Sequence, residues 1–231
     1  MAPLALLYDV HGNLPALEAV LADARRAGAR RYLLGGDYAL FGPFPAEAVA
    51  ALRALADATW IRGNVDRWSA HPEQLPADDE LLLRAVADCR EALGAEVADR
   101  LGELPAQRRL DETLYCHASP VSDMRSFMPE AADDEAELLA GVTARRVVFG
   151  HTHLQFRRRS SAGVELVNPG SVGMPLDGDV RAAYALVADD GSIELRRVEY
   201  ELGAALAGLR ERFGEAAWAQ RSVTRLQNAR L

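Results

Sequence analysis

Seven side chains suited to metal chemistry stand at the ends of apolar runs in this sequence. Asp9 and His11 follow the run at 4–8, and Asp37 follows 32–34 and two glycines. Asn64 follows Trp60-Ile61-Arg62-Gly63, His117 follows 114–116, and His151 and His153 follow 147–149 and Gly150. Four of the chain's five histidines fall in these blocks, which argues against a scatter of core histidines. An apolar run ending in imidazoles and carboxylates fills a core badly and presents ligands at a sheet rim well. Asp9 and His11 are two apart, as are His151 and His153, so on extended backbone each pair projects to one side. The second pair could equally serve two adjacent ions.

The mixture of imidazoles, carboxylates and one amide suits divalent transition metals, Mn, Fe, Zn, Co or Ni. It is too rich in nitrogen for a calcium cage and lacks the thiolates of a structural zinc knot. Seven donors exceed what one ion takes and match two ions that keep water-filled positions. Two ions roughly 3.5–4 Å apart can clamp a phosphoryl group and hold a hydroxide in line with the leaving oxygen. Such ions lower the pKa of the bridging water, so no serine or cysteine nucleophile is required.

The elements that must position these residues are legible as strand–loop–helix units. Residues 4–8 form an unbroken apolar run, as in a strand buried on both faces. Residues 14–26 carry apolar side chains at helical spacing (Leu14, Leu17, Val20, Leu21), with Gly28 as a stop. Strands at 31–34 and 59–62 flank a helix at 45–58 that opens on Pro45. Short βα units of this kind imply a parallel sheet with helices packed on it. From 68 to about 110 the chain is polar and alanine-rich with no strand evident, which predicts a helical insertion after the third strand. Strands are expected at 113–116, 146–149, 155–159, 164–167, 182–187 and 192–199, with turns near Gly163 and Asp189-Asp190-Gly191. They suggest a second, more antiparallel sheet packed on the first. The segment at 201–231 reads as amphipathic helix docked on the body. Together, 1–231 is expected to be one α/β domain.

At 231 residues, 49% hydrophobic and 26% charged, the composition is that of a soluble globular protein. The net charge of −8 argues against general nucleic-acid binding, which needs a basic face. Two cysteines, Cys89 and Cys116, give no disulfide framework and fit a reducing compartment. No leader pattern and no apolar stretch of about 20 residues occurs. The expectation is a cytoplasmic protein with no membrane partner, and a homo-oligomer is compatible with the sequence.

In this order, Asp9-Val10-His11, Gly36-Asp37, Gly63-Asn64, His117 and Gly150-His151-Thr152-His153 resemble the blocks of the calcineurin-like metallophosphoesterase superfamily. The resemblance covers nearly the whole chain, and Asn168-Pro169-Gly170-Ser171-Val172-Gly173 is similar to the small bacterial and archaeal, phosphodiesterase-like branch. It implies a four-layer sandwich of two mixed β-sheets flanked by helices, with a dinuclear centre at the strand ends. It further implies that Asp9, His11 and His153 hold one metal, that Asn64, His117 and His151 hold the other, and that Asp37 bridges them. Mn is the metal the resemblance favours. Asp37 and Asn64 are then also the catalytic residues, holding the hydroxide and positioning the phosphate.

The departures narrow the activity. Where the protein serine/threonine phosphatases carry an Asp-Arg pair and a His after Gly-Asn, this chain has Leu40, Phe41 and Val65. The resemblance assigns that His to leaving-group protonation, a contribution typically of 10²–10⁴-fold. Esters with a good leaving group suffer least from its loss. Phosphodiesters and activated phosphomonoesters of small molecules are therefore preferred over phosphoserine in proteins. A protein phosphatase, or a non-catalytic interaction scaffold on the same fold, is the alternative. Arg62 and Arg181 are the substrate-binding candidates, with Arg67 and Arg125 also near the blocks. Asp66 is expected to hold its loop, His71 to lie on the surface, Cys116 to be a buried structural thiol, and Arg157-Arg158-Arg159 to be a solvated sheet edge. The 168–173 stretch is explained as a tight turn between strands.

Overall fold

The computed structural model describes residues 2–75 and 78–231. Strand β1 (Leu4–Leu7) sets the layering. Leu4, Leu6 and the following Tyr8 enter a core shared with Tyr115, Val148 and Val167, whereas Ala5 and Leu7 face a larger core made with helices. Both faces of the strand are covered, which is why its sequence does not alternate with polar residues. Helix α1 (Leu14–Arg26) starts where the Asn13 side chain accepts a hydrogen bond from Ala16 N, with proline in the first turn. Strand β2 (Arg31–Leu34), helix α2 (Pro45–Arg53) and strand β3 (Ala58–Trp60) follow.

Helices α3 (Asn64–Ala70), α4 (Glu80–Leu93) and α5 (Ala95–Gly102) come next, with a short 3-10 turn at Pro72–Gln74. The expected insertion is therefore helical but shorter than 68–110, because strand β4 (Gln107–Leu110) ends it. Gln107, Arg108 and Arg109 are exposed on a sheet edge, so this strand has no apolar alternation to betray it. It pairs antiparallel with β5 (Thr113–Cys116). The chain continues through α6 (Glu135–Leu138), β6 (Arg146–Val148), β7 (Phe156–Arg159), β8 (Glu165–Asn168), β9 (Ala182–Val187) and β10 (Ile193–Val198). It closes with α7 (Leu202–Phe213) and α8 (Ala217–Asn228).

The two five-stranded sheets run β10-β9-β1-β2-β3 and β4-β5-β6-β8-β7. In the first, β1, β2 and β3 are parallel, β9 runs antiparallel to β1, and β10 runs antiparallel to β9. In the second, β5, β6 and β8 are parallel, and the edge strands β4 and β7 antiparallel. Two expectations fail here. The last two strands do not join the second sheet but return to β1, and the second sheet is no more antiparallel than the first. The crossing is made by residues 169–181, whose length and composition alone do not show which sheet receives the chain. Helices α1, α2, α4, α7 and α8 cover the outer face of the first sheet. Phe127, Leu138 and Leu139 cover Val147, Phe149 and Leu166 on the outer face of the second. The result is the expected four-layer sandwich. The segment at 201–231 is two docked helices rather than one, parted near Gly214, and the arginines of β7 lie on a sheet edge as expected. No described helix is long and apolar enough to cross a membrane.

Candidate metal centre

Every candidate ligand follows the carboxyl end of a parallel strand: Asp9 and His11 after β1, Asp37 after β2, Asn64 after β3, His117 after β5, His151 and His153 after β6. That rim is where open α/β sheets place ligands, because side chains there are free of the ladder. The backbone is not the extended one that spacing suggests. Asp9 (54°), His11 (47°), Asp37 (60°), His151 (66°) and His153 (60°) all have positive φ. Five of seven site residues thus occupy a region that non-glycine residues rarely adopt, a concentration of strain typical of functional sites. Close approach adds a second constraint: a Cβ on Gly63 would lie 2.0 Å from Asp37 Oδ1.

The side chains converge in two groups. Asp9, His11 and His153 offer donor atoms within 4.8 Å of one another, and Asp37, His117 and His151 do the same. Asn64 Oδ1 joins the second group, 3.0 Å from His117 Nε2 and 2.9 Å from His151 Nδ1. Asp37 faces both groups, its Oδ2 lying 3.3 Å from His117 Nε2 and 3.9 Å from His11 Nε2. His151 and His153 therefore separate into different groups, while Asp9 and His11 share one.

Three rings are fixed in one tautomer by backbone carbonyls. Nδ1 of His11, His117 and His153 lies 2.8, 2.9 and 2.6 Å from the carbonyl oxygens of Leu40, Gly35 and Met174. A carbonyl only accepts, so each Nδ1 carries the hydrogen and each Nε2 turns its lone pair inward in the neutral ring. His11 Nε2 and His153 Nε2 are only 3.1 Å apart. Two lone pairs at that distance require a proton or a cation between them. Two nitrogen donors each about 2.1 Å from a shared ion stand about 3 Å apart. Asp9 Oδ1 is buried with no hydrogen-bond partner, although Oδ2 accepts from His151 N at 3.0 Å. An orphaned carboxylate oxygen beside inward lone pairs fits a divalent cation, so the donor set passes the test that its chemistry poses.

The electrostatics repeat in the two groups. Burial, then the charge of His153, lowers His11 to about 4, while Asp9 raises His153 against its own burial. Burial, then the charge of His117, lowers His151 to about 4, while Asp37 overcomes burial to raise His117 to about 10. Burial opposes ionisation of Asp9 and Asp37, but His153 and His117 outweigh it and hold both carboxyls below their ordinary value. Each group thus pairs its carboxylate with one imidazole that it raises, while the second imidazole is lowered to about 4. On His117, raised to about 10, a proton occupies the position that a cation would take.

The supporting contacts explain why the loops hold these shapes. Asp66 holds its loop, as expected. Its Oδ2 accepts from Gly63 N and Asp37 N, both at 2.8 Å, and its Oδ1 from Tyr38 N at 3.1 Å. Burial and the nearby Asp37 raise the Asp66 carboxyl to about 7, against those three donors. Val65 is buried and donates its N–H to Asp37 Oδ1 at 3.1 Å. The 168–174 stretch does more than turn the chain. Ser171 Oγ donates to the Asp9 carbonyl at 2.7 Å, Gly173 N donates to the same carbonyl at 3.0 Å, and Met174 supplies the His153 acceptor. Asn168 Nδ2 ties down Gly150 O and Thr152 Oγ1. The signal was the Asn168–Gly173 motif itself, whose turn composition concealed its positioning role.

Arg62 and Arg67 line a cavity of about 400 Å³ that reaches His117 and also includes Gln107, Ser122 and Asp123. Arg62 Nη1 donates to Gly102 O at 3.0 Å, and its Nε is buried without a partner. Arg67 forms a two-pronged pair with Asp123 at 2.7 and 2.9 Å. Arg181 is not brought to the cluster: it is exposed and held by the Asp179 carboxylate. Arg125 is likewise held at the surface by Glu137 and Asp134. His71 is half-exposed beside Glu73, and Cys116 is buried with its thiol pushed up by burial.

This fold and this rim of donors define a phosphoesterase class. The calcineurin-like phosphoesterase superfamily model matches residues 3–191, and the chain belongs to that metal-dependent family. Its fold is similar to that of a metallophosphoesterase from Sphaerobacter thermophilus, with a TM-score of 0.84 and 29% identity over 99% of each chain. A hypothetical protein from Pyrococcus horikoshii OT3 shares the fold at a TM-score of 0.85, with 21% identity over 99% of each chain. Among curated sequences, an uncharacterized protein of Methanocaldococcus jannaschii is 27% identical, covering 86% of this chain and 88% of that one.

Proposed function

We propose that this chain, acting as one domain, hydrolyses phosphodiester or activated phosphomonoester bonds of small molecules with a pair of divalent transition-metal cations. Asp9, His11 and His153 would hold one cation and Asn64, His117 and His151 the other, with Asp37 shared. Manganese is the first choice for both. The observation that carries this reading is the convergence of the two donor groups on the Asp37 carboxylate, 3.3 Å from His117 Nε2 and 3.9 Å from His11 Nε2. When bound, such a pair lowers the pKa of water and neutralises phosphoryl charge.

The chain's own residues prepare that chemistry. The carbonyls of Leu40, Gly35 and Met174 keep three Nε2 lone pairs aimed inward. Asp37 and Asn64 stand between imidazoles, placed to position a phosphate. Arg62, whose Nε has no partner, is suited to grip a phosphate oxygen or the leaving group in the neighbouring cavity. Val65 donates no side-chain proton, so departure of the leaving oxygen depends on its own acidity.

The test is hydrolysis of bis-p-nitrophenyl phosphate, p-nitrophenyl phosphate and phenyl phosphate with Mn²⁺, Co²⁺ or Ni²⁺. The two nitrophenyl esters should turn over and phenyl phosphate should lag by at least about 10²-fold, the lower bound of a missing general acid. Arg62→Ala should raise KM by roughly 10-fold or more, as expected for a lost charge-assisted hydrogen bond. Absence of turnover on every ester, with metal bound by elemental analysis, would defeat the proposal and leave the scaffold reading. Faster release of phosphate from a phosphoserine peptide than from the nitrophenyl esters would favour the protein phosphatase.

A further inference from the structure

A second cavity, of about 190 Å³, lies between α3, α4 and α8, lined by Phe41, Trp68, Asp79, Trp218, Arg221 and Arg225 among others. We propose that it binds a small aromatic anion, a phosphate, phosphonate or carboxylate carried on a flat ring.

The charged part of the argument rests on the arginines. Arg221 and Arg225 are four apart on α8, so they sit side by side one helical turn apart, where like charges repel. Among the described residues no carboxylate comes within ion-pair distance of either. Asp79 lines the same cavity, but its Oδ1 caps α4 by accepting from Leu82 N at 2.9 Å. Four buried side-chain polar atoms lack a hydrogen-bond partner among the described residues, and two of them are arginine Nε atoms. One belongs to Arg62, in the cavity beside His117; the other belongs to Arg225, here. Burial and the neighbouring Arg221 both work against the charge of Arg225. The negative end of the α8 dipole compensates only in part, typically 0.3–1 kcal/mol at an exposed terminus (about 2 at most when partly buried). An unpaired, half-buried guanidinium next to another is a site that an anion completes.

The ring part rests on the walls. Phe41 and Trp68 are both partly exposed, while Trp218 forms a buried floor whose Nε1 is already occupied by Asp88. Flat aromatic walls favour a flat occupant by stacking. A cavity of about 150 Å³ accepts benzene, so this space suits one ring and its anionic substituent rather than a dinucleotide. Phe41 has positive φ (76°) and its ring lies 6.1 Å from that of His11, so the cavity adjoins the first donor group without including any of its ligands.

The experiment keeps metals out with EDTA, so its failure would leave the hydrolase proposal untouched. Phenylphosphonate, benzoate and inorganic phosphate are titrated into wild-type protein at low salt by calorimetry and thermal shift. Phenylphosphonate should bind at least 10-fold more tightly than inorganic phosphate and should raise Tm. Arg225→Met and Arg221→Ala should each weaken it at least 10-fold, and Arg225→Lys should fall between Met and wild type. Trp68→Ala should remove the preference for the ring. Without ligand, Arg225→Met should raise Tm by about 2–4 °C, the shift expected per 1 kcal/mol in a chain of this size, because it keeps the stem and removes an uncompensated charge. Unchanged affinity in both arginine variants, no binding to wild type, or a fall in Tm for Arg225→Met would each overturn the proposal.

Discussion

Asp37→Asn in the metal-free protein removes the charge that sets His117 while leaving the shape of the site almost unchanged. The amide oxygen can still accept from Val65 N, and the amide nitrogen can donate to a neutral His117 Nε2. In the wild type, His117 is raised from 6.5 to about 10, chiefly by Asp37. That rise corresponds to roughly 5 kcal/mol of preference for the imidazolium. The contact distance of 3.3 Å gives the same size, about 5 kcal/mol, at an effective dielectric constant of about 20. The same contact lowers Asp37, so it is counted once. The sign follows from linkage. A folded-state pKa above the unfolded one contributes stability that is fully present below pH 6.5 and is lost as pH rises through about 10. Histidine-selective NMR with EDTA should therefore show His117 protonated at neutral pH in wild type. In Asp37→Asn it should titrate below about 8, with Asp9, 3.9 Å away, retaining part of the shift. Calorimetric Mn²⁺ titrations in buffers of different ionisation enthalpy should register one fewer proton released by the variant near pH 7.5. An unchanged His117 titration or unchanged proton release would show that Asp37 does not organise the charge of the site.

Gly63→Ala should destabilise the protein by about 1–3 kcal/mol, the usual cost of overpacking, and weaken Mn²⁺ binding, because the added Cβ meets Asp37 Oδ1; Tm and calorimetry read both. Asp66→Ala orphans three buried backbone N–H groups at roughly 1–3 kcal/mol each, less what is regained by removing a carboxylate that burial penalises. Urea unfolding should record a loss of at least about 2 kcal/mol. Cys89 is pushed up to about 12 and Cys116 further still by burial, so neither thiol should react with iodoacetamide at pH 8 until the chain is unfolded. Labelling of the native protein on the timescale of free cysteine would contradict that burial.

Much of the fold and the donor set was legible because each depends on a pattern that sequence records directly. The doubly buried strands read as apolar runs, and the candidate ligands read as Asp, His and Asn at the ends of those runs. What sequence concealed has physical reasons. β4 is an exposed edge built from Gln107, Arg108 and Arg109, so no periodicity marks it. The left-handed backbone at Asp9, His11, Asp37, His151 and His153 has no compositional mark either, since none is glycine. The separation of His151 from His153 follows from that backbone rather than from their spacing. Arg181 lay near a motif in sequence, yet Asp179 two residues away captures it. The role of Ser171 and Gly173 depends on the chain passing from β8 to β9 directly beneath Asp9, a tertiary fact.

The strained ligand turns hold one another in place. Five left-handed residues at roughly 1–3 kcal/mol each would amount to much of the net stability of a domain if each turn stood alone. They do not stand alone. Asp9 N donates to Gly36 O at 3.1 Å and His11 N to Asp37 O at 2.9 Å, so the β1 turn is tied to the β2 turn. Asp66 ties the β2 turn to the start of α3. Gly150 N donates to His117 O at 2.7 Å, joining the turns after β5 and β6, and His151 N to Asp9 Oδ2 and Gly173 N to Asp9 O, both at 3.0 Å, join the turns after β6 and β8 back to the first. The circuit of hydrogen bonds spans both sheets, so the donors are gathered by the fold without a cation. Small zinc-dependent domains work the other way, with the metal supplying the folding energy. Here Asp37 holds a proton on His117 in the absence of a cation, and under the proposed function a divalent ion would displace that proton from a site already built.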